Sequence, residues 1–177
     1  MPNWVATYVE VSHDNKDKVA ELKSMIESVI GRRHSLFNRL IPRPVFERPQ
    51  TDWYEWNISN WGTKWAECDL NLNDESDNHL CFQFKTAWSP AIPIFNKLYE
   101  MGFNVKAQYL DEGWCFVGEY ENGEDVSWED VTDAPDYLRE EFNLYTEEDD
   151  ENMLDDLLEE PKTTSPFQEW EQKNKGA

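Results

Sequence analysis

The sequence predicts an α+β domain with an acidic segment appended at its C-terminal side, and three observations carry that expectation. Stretches that alternate apolar and polar residues, as half-buried strands do, are interspersed with stretches whose apolar residues recur at helical spacing. Nine Trp, nine Phe and seven Tyr supply enough large apolar surface for one core in a 177-residue chain of only 39% hydrophobic residues. Charge is segregated: residues 1–110 carry 14 acids and 12 bases, whereas 111–177 carry 23 acids and 4 bases, a net of −19 within a total of −21.

Val5–Ser12 alternates and reads as a strand. His13-Asp14-Asn15 is a turn and cap cluster, followed by a helix over Lys16–Ile30 with Val19, Leu22, Met25, Ile26, Val29 and Ile30 on one side and Gly31 as its stop. Arg32–Gln50 holds Pro42, Pro44 and Pro49 and reads as irregular. Thr51-Asp52 caps a short helix carrying Trp53 and Trp56 that ends before Gly62. Lys64–Leu72 and His79–Trp88 alternate and pair as a hairpin around the polar Asn73–Asn78. Ser89 as N-cap and Pro90 at the first helical position open a helix that runs to Met101 and stops at Gly102. Val105–Leu110 and Trp114–Glu121 form a second hairpin around Asp111–Gly113.

The order β-α-(α)-β-β-α-β-β is that of the split βαβ, or ferredoxin-like, plan: an antiparallel sheet with its helices on one face, here with one extra strand. The expected domain is 1–145. Beyond Gly123 the pattern changes: Asp133–Asn143 reads as a helix with Tyr137, Leu138 and Phe142 on one face. The remainder, 146–177, is an acidic tail that is helical over Glu147–Glu160 and polar and disordered after Pro161.

Several function classes lack their residues. Met1-Pro2-Asn3-Trp4 has neither the basic nor the apolar region of a signal peptide, and no apolar run is long enough to span a membrane. Cys68, Cys81 and Cys115 are odd in number and have no CxxC spacing, which reads as buried free thiols in a reducing compartment. His13, His34 and His79 have no neighbours at metal-ligand spacing, so neither a metal nor a cofactor is expected. There is no glycine-rich phosphate loop, HExxH or GxSxG, and the abundant carboxylates read as a solvated run rather than a catalytic pair with separated pKa values.

Three clusters remain. Arg32, Arg33, Arg39, Arg43 and Arg48, with Phe37 and Phe46 among them, suit either an anionic ligand or the chain's own acidic tail. Trp53, Trp56, Trp61, Trp65 and Trp88 are dense enough for an aromatic platform, though such a cluster is more often core. In the tail, Met153, Leu154, Leu157 and Leu158 form a narrow apolar stripe. It suits the groove of a partner, with Glu147, Glu148, Asp149, Asp150, Glu151, Asp155, Asp156, Glu159 and Glu160 meeting a basic rim.

The blocks Asn60-Trp61-Gly62-Thr63-Lys64-Trp65 and Thr86-Ala87-Trp88-Ser89-Pro90, with Ile92-Pro93 and the stretch Tyr109–Gly118, resemble the YubB-type ferredoxin-like family of bacteriophage and plasmid accessory proteins. The resemblance covers about residues 1–145. It implies the ferredoxin-like fold and a bacterial cytoplasmic setting, and it carries over no catalytic residue. It marks Trp61, Thr63, Lys64, Trp65 and Trp88 as a family-motif surface.

The function expected from these observations is non-enzymatic: binding, and inhibition, of a host defence or nucleic-acid-handling protein whose basic surface meets the acids in the manner of a DNA mimic. A nucleic-acid-binding module using the aromatic and Arg-rich region is the alternative, against which the net charge argues. An enzyme of unknown reaction is the third.

Overall fold

The structure, a computed structural model, describes residues 3–32, 34–47 and 51–144. The contact residues expected between Glu147 and Glu160, and any pairing of the arginine segment with them, lie outside the described residues.

Strand β1 (Trp4–Ser12) leads through a side-chain cap at Asn15 into α1 (Lys16–Val29), which buries Val19, Leu22, Ile26 and Val29. After α2 (Leu36–Leu40) and α3 (Asp52–Trp61) come β2 (Cys68–Ser76), β3 (His79–Ala87), α4 (Ile92–Glu100), β4 (Asn104–Asp111), β5 (Val117–Glu121) and β6 (Glu124–Trp128). A 3₁₀ turn (Val131–Asp133) and α5 (Asp136–Glu141) complete the described residues. The sheet order is β2-β3-β1-β4-β5-β6, with every neighbouring pair antiparallel. Strands β2-β3-β1-β4 with α1 and α4 are the expected ferredoxin-like plan, and β5 and β6 extend it beyond β4.

One face of the sheet carries the main core. Val5, Val9 and Val11 of β1, Leu80, Phe82 and Phe84 of β3, and Val105 and Tyr109 of β4 lie beneath α1 and α4, with Phe95 of α4 against Phe84 and Tyr120. The other face is not bare of helix, contrary to expectation. Val131, Ala134, Leu138 and Leu144 of the C-terminal segment form a second, smaller core with Val117, backed by Leu110, Trp128 and Phe142.

The differences from the expected elements have local causes. Strand β2 starts four residues later than expected, because Thr63 folds its hydroxyl back to the carbonyl of Trp65, and within the strand Asp69 sits at φ +53°, where the pairing with β3 shifts register. It then continues through the polar Asn73–Ser76, which an edge strand tolerates. Ser89 is not an N-cap: α4 begins at Ile92 after Ala91, and the Ser89 hydroxyl donates to the Gly62 carbonyl at 2.6 Å. Thr51 makes no cap either, since its hydroxyl donates to the Asp52 carboxylate. Strand β6, not expected, follows the turn Asn122-Gly123, so the sheet has two extra strands rather than one. The expected Asp133–Asn143 helix starts only at Asp136, because Pro135 stands where the chain is still extended.

Helix α2 was read as irregular. It is a single turn whose free amide groups are served from a distance: the N–H groups of Leu36 and Phe37 and the Ser35 hydroxyl all donate to the Glu67 carboxylate. Burial pushes the Glu67 carboxyl above its ordinary value of 4.5, and the three donors pull it only partly back. A carboxyl raised in the fold binds its proton more tightly folded than unfolded. Its contribution is therefore full below about pH 4.5 and declines as pH rises through the folded value. The melting-temperature advantage of the native chain over Glu67→Gln is expected to be larger at pH 4 than at pH 7, and thermal melts of the pair at both pH values check the sign.

Candidate functional site

The two tryptophan-bearing blocks meet at one end of the sheet, where β3 finishes and the segment before β2 begins. Gly62 ends α3 at φ +78°, and a Cβ there would stand 2.8 Å from Pro93 Cδ in α4 and 3.2 Å from the Pro90 carbonyl, so the α3–β2 connection lies directly against the β3–α4 connection and the first turn of α4. The buried Thr86 and Asn57 and the half-buried Ser89 fasten them: Ser89 to the Gly62 carbonyl, Thr86 to the Ser89 carbonyl, and Asn57 to the Lys64 carbonyl at 2.8 Å. On this frame Lys64 holds its ammonium between two indole rings, 4.6 Å from the centroid of Trp65 and 4.3 Å from that of Trp88. Trp65 is 37% and Trp88 44% exposed, and Trp88 sits at φ +74°, an uncommon conformation for a bulky residue. Its backbone N–H donates to the Asn3 carbonyl, which holds the main chain of Trp88 at the sheet end.

The cluster thus divides between core and surface. Trp61 is buried, with its indole N–H on the Ile41 carbonyl at 3.0 Å, and Thr63 is buried with its hydroxyl used internally. Both belong to the scaffold and not to the family-motif surface expected of them. Lys64, Trp65 and Trp88 are brought together. Trp53 and Trp56 are half-buried, and Arg43 lies 5.7 Å over the Trp61 ring, while Arg33 and Arg48 are outside the described residues.

Beyond Trp88 lies a cleft of about 560 Å³ walled by Trp88, Pro90 and Phe116 and bordered by Asp125, Ser127 and Glu129. Its floor is Tyr109, fully buried, whose ring crosses β5 over Gly118. The register makes this possible, since Tyr109 faces Gly118 and Gly118 faces Ser127. The Tyr109 hydroxyl donates to Asp125 at 2.7 Å. Burial, and the neighbouring Asp125 charge, push this phenol well above its ordinary range, so it stays a donor. Cys115 at the mouth is exposed rather than buried as expected, and its bond to Asp111 pushes the thiol up. Cys68 and Cys81 are half-buried.

A second feature is charge. Residues 111–144 hold twelve acids and one base, Arg139, a net of −11 within the folded unit. Ten of the twelve are exposed, Asp111 and Glu119 being the exceptions. Among the described residues their ion pairs are Glu121 with Lys106 and Asp136 with Arg139. The open part of the sheet's other face forms a groove of about 660 Å³ past Tyr8, rimmed by Glu10, Asp74, Glu119, Glu121 and Glu141 with Lys106 among them.

Tyr109, Gly118, Asp125 and Glu129 escaped the sequence reading as site residues. The Asn122-Gly123 pair, a strong hairpin signal, was the clue that would have set β6 and hence Asp125 beside Tyr109. No helix among the described residues is long and apolar enough to cross a membrane. No curated protein and no solved structure gives a significant match to the chain. A family described as the ferredoxin-like domain in Api92-like protein matches residues 60–156, more than half of the chain. The chain, with its six-stranded α+β sheet, therefore belongs to this family of ferredoxin-like domains.

Proposed function

We propose that this protein is a non-enzymatic binding protein that engages a partner with a basic surface through its acidic C-terminal third. The observation that carries the reading is the ten exposed carboxylates of residues 111–144, displayed on a folded scaffold with two ion-pair partners among the described residues. Carboxylates fixed in place lose less entropy on docking than those on a mobile chain, so they favour specific association as well as steering. A host defence or nucleic-acid-handling protein is the class of partner whose phosphate-binding surface such a display would occupy. The resemblance of the Asn-Trp-Gly-Thr-Lys-Trp and Thr-Ala-Trp-Ser-Pro blocks to YubB-type proteins supports an accessory role in a bacteriophage or plasmid, acting in the bacterial cytoplasm. The acidic residues between Glu147 and Glu160 would add to the same attraction.

The alternative, a sheet that stacks nucleic-acid bases, meets an unfavourable field. The open sheet face offers Tyr8, but five carboxylates rim the groove beside it and would repel phosphates.

The test compares three forms: the full chain, residues 1–144, and the full chain carrying Glu112→Gln, Glu124→Gln, Asp133→Asn, Glu140→Gln and Glu141→Gln, none of which caps a helix. Each is used to capture proteins from nuclease-treated bacterial lysate, and the captured protein is purified for titration. The full chain should retain a protein with a basic surface, with affinity that falls as salt rises. The fivefold neutralised form should bind it at least about tenfold more weakly, as loss of several charge contacts implies. Retention unchanged by both salt and neutralisation would sink the reading. Retention by 1–144 equal to the full chain would assign the contact to the folded domain rather than to the tail.

A further inference from the structure

The cleft beside Trp88 joins two kinds of group that seldom meet without a purpose: a flat exposed aromatic wall and carboxylates with no basic partner among the described residues. Trp88 supplies the wall, with Phe116 next to it. Asp125 and Glu129 supply the charge, and neither is in an ion pair there. This is more than a group of acids. Asp125 is oriented by the hydroxyl of a tyrosine that is 99% buried, and that tyrosine is seated by the absence of a side chain at Gly118. An oriented carboxylate can offer an oxygen edge to a planar partner without first losing rotational freedom.

The chain itself shows what the Trp88 ring accepts. Lys64 holds its ammonium 4.3 Å from the Trp88 centroid and has no carboxylate partner among the described residues, so the ring is presented in a way that suits a cation. The cleft is lined by Trp88 but not by Lys64. At about 560 Å³ it has room for one long side chain.

We propose that this cleft is an anchor pocket for an arginine side chain of a protein partner, whose guanidinium stacks on Trp88 and pairs with Asp125, with Glu129 at the rim. The inference rests on the reading of the protein as a binder of basic partners and names the contact on which that binding would centre. Arginine fits better than lysine for two reasons. Its plane stacks on an indole, and its fork meets a carboxylate through two N–H groups at once. Anchors of this kind, a desolvated Arg against an aromatic, tend to dominate the energetics of an interface.

The probe is N-acetyl-arginine amide, with N-acetyl-citrulline amide as a neutral isostere, titrated into the full-length ¹⁵N-labelled chain. The Trp88 indole N–H resonance is assigned by its loss in Trp88→Phe. The arginine derivative should shift that resonance saturably, and the citrulline derivative should leave it in place. Asp125→Asn keeps an acceptor for Tyr109, so the floor survives, and it should weaken the arginine probe about tenfold; Glu129→Gln should weaken it less. An unmoved Trp88 resonance, an equal response to citrulline, or an Asp125→Asn variant that binds as the native chain does would each overturn the proposal. The broader reading fails on a different measurement, the fivefold neutralised chain, which leaves Asp125 and Glu129 intact. A silent arginine titration together with salt-sensitive partner capture would remove the pocket and leave the acidic surface standing.

Discussion

Residues 60–156 expressed alone are expected not to fold. This is the segment the family match defines, yet it omits the central strand of the sheet. Strand β1 pairs with β3 along Trp4–Ser12 and with β4 along Val5–Ser12, so its removal leaves those two strands without a common neighbour. It also removes α1 and, with it, the buried Val19, Leu22, Ile26 and Val29 in addition to Val5, Val9 and Val11 of the strand. Burying an aliphatic side chain contributes roughly 1.5–3 kcal/mol. Seven of them amount to about 10–20 kcal/mol, as much as a typical domain's entire stability of about 5–15 kcal/mol. Circular dichroism and ¹H–¹⁵N spectra should show a chain without a cooperative melt or dispersed amides. Residues 1–144, which hold both cores, should melt cooperatively. A cooperative transition in 60–156 would mean that β3 and β4 can close on each other and that β1 is dispensable.

How much of this was legible in the sequence depended on whether local pattern or distant contact decides an element. Strands β1, β3 and β4 and helix α1 were readable because alternation and helical spacing are strong there and the caps lie within a few residues, as with Asn15 and Asp17. Helix α2 was not, although Ser35 caps it locally on the Asn38 N–H, because it is a single turn and the N–H groups of Leu36 and Phe37 are capped by Glu67, about thirty residues away in sequence. The start of β2 was hidden by the side chain of Thr63, which holds the chain in a turn although the residue pattern alternates. Gly62 is legible as the stop of α3, and it stands there at positive φ and in close approach to Pro93. The tryptophan blocks could be recognised as a unit, but not which members point outward. That follows from Trp61 finding a carbonyl inside and from Trp88 being held by the Asn3 carbonyl at positive φ, and neither is a property of spacing. The acidic contact was placed in the tail, because β6 was not expected and nothing in the local pattern set the acids around it on a strand.

Gly118→Ala should unfold the C-terminal hairpin's support more than an added methyl would suggest. A Cβ at residue 118 would stand 2.6 Å from Tyr109 Cε2 and also too close to the hydroxyl of the same ring. Tyr109 cannot give way cheaply, because it is fully buried in the main core and packs on Phe116. Overpacking of this sort costs up to about 3 kcal/mol. For a folded unit of this size that lowers the melting temperature by about 10 °C. Gly118 lies in a strand without positive φ, where alanine would otherwise be the more favourable residue by about 0.5–1 kcal/mol, so backbone conformation predicts the opposite sign. A double-mutant cycle separates the two causes. In a Tyr109→Ala background the steric obstacle is gone, and Gly118→Ala should become neutral or slightly stabilising; a cost that persists there would place the constraint in the β5 backbone. The same cycle bears on binding, since Asp125 is held by the Tyr109 hydroxyl. If the oriented carboxylate anchors a guanidinium, Tyr109→Phe, which keeps the ring and removes only that bond, should weaken the arginine probe with little change in stability. Gly118, which touches no ligand, would then be the residue that allows the pocket its floor.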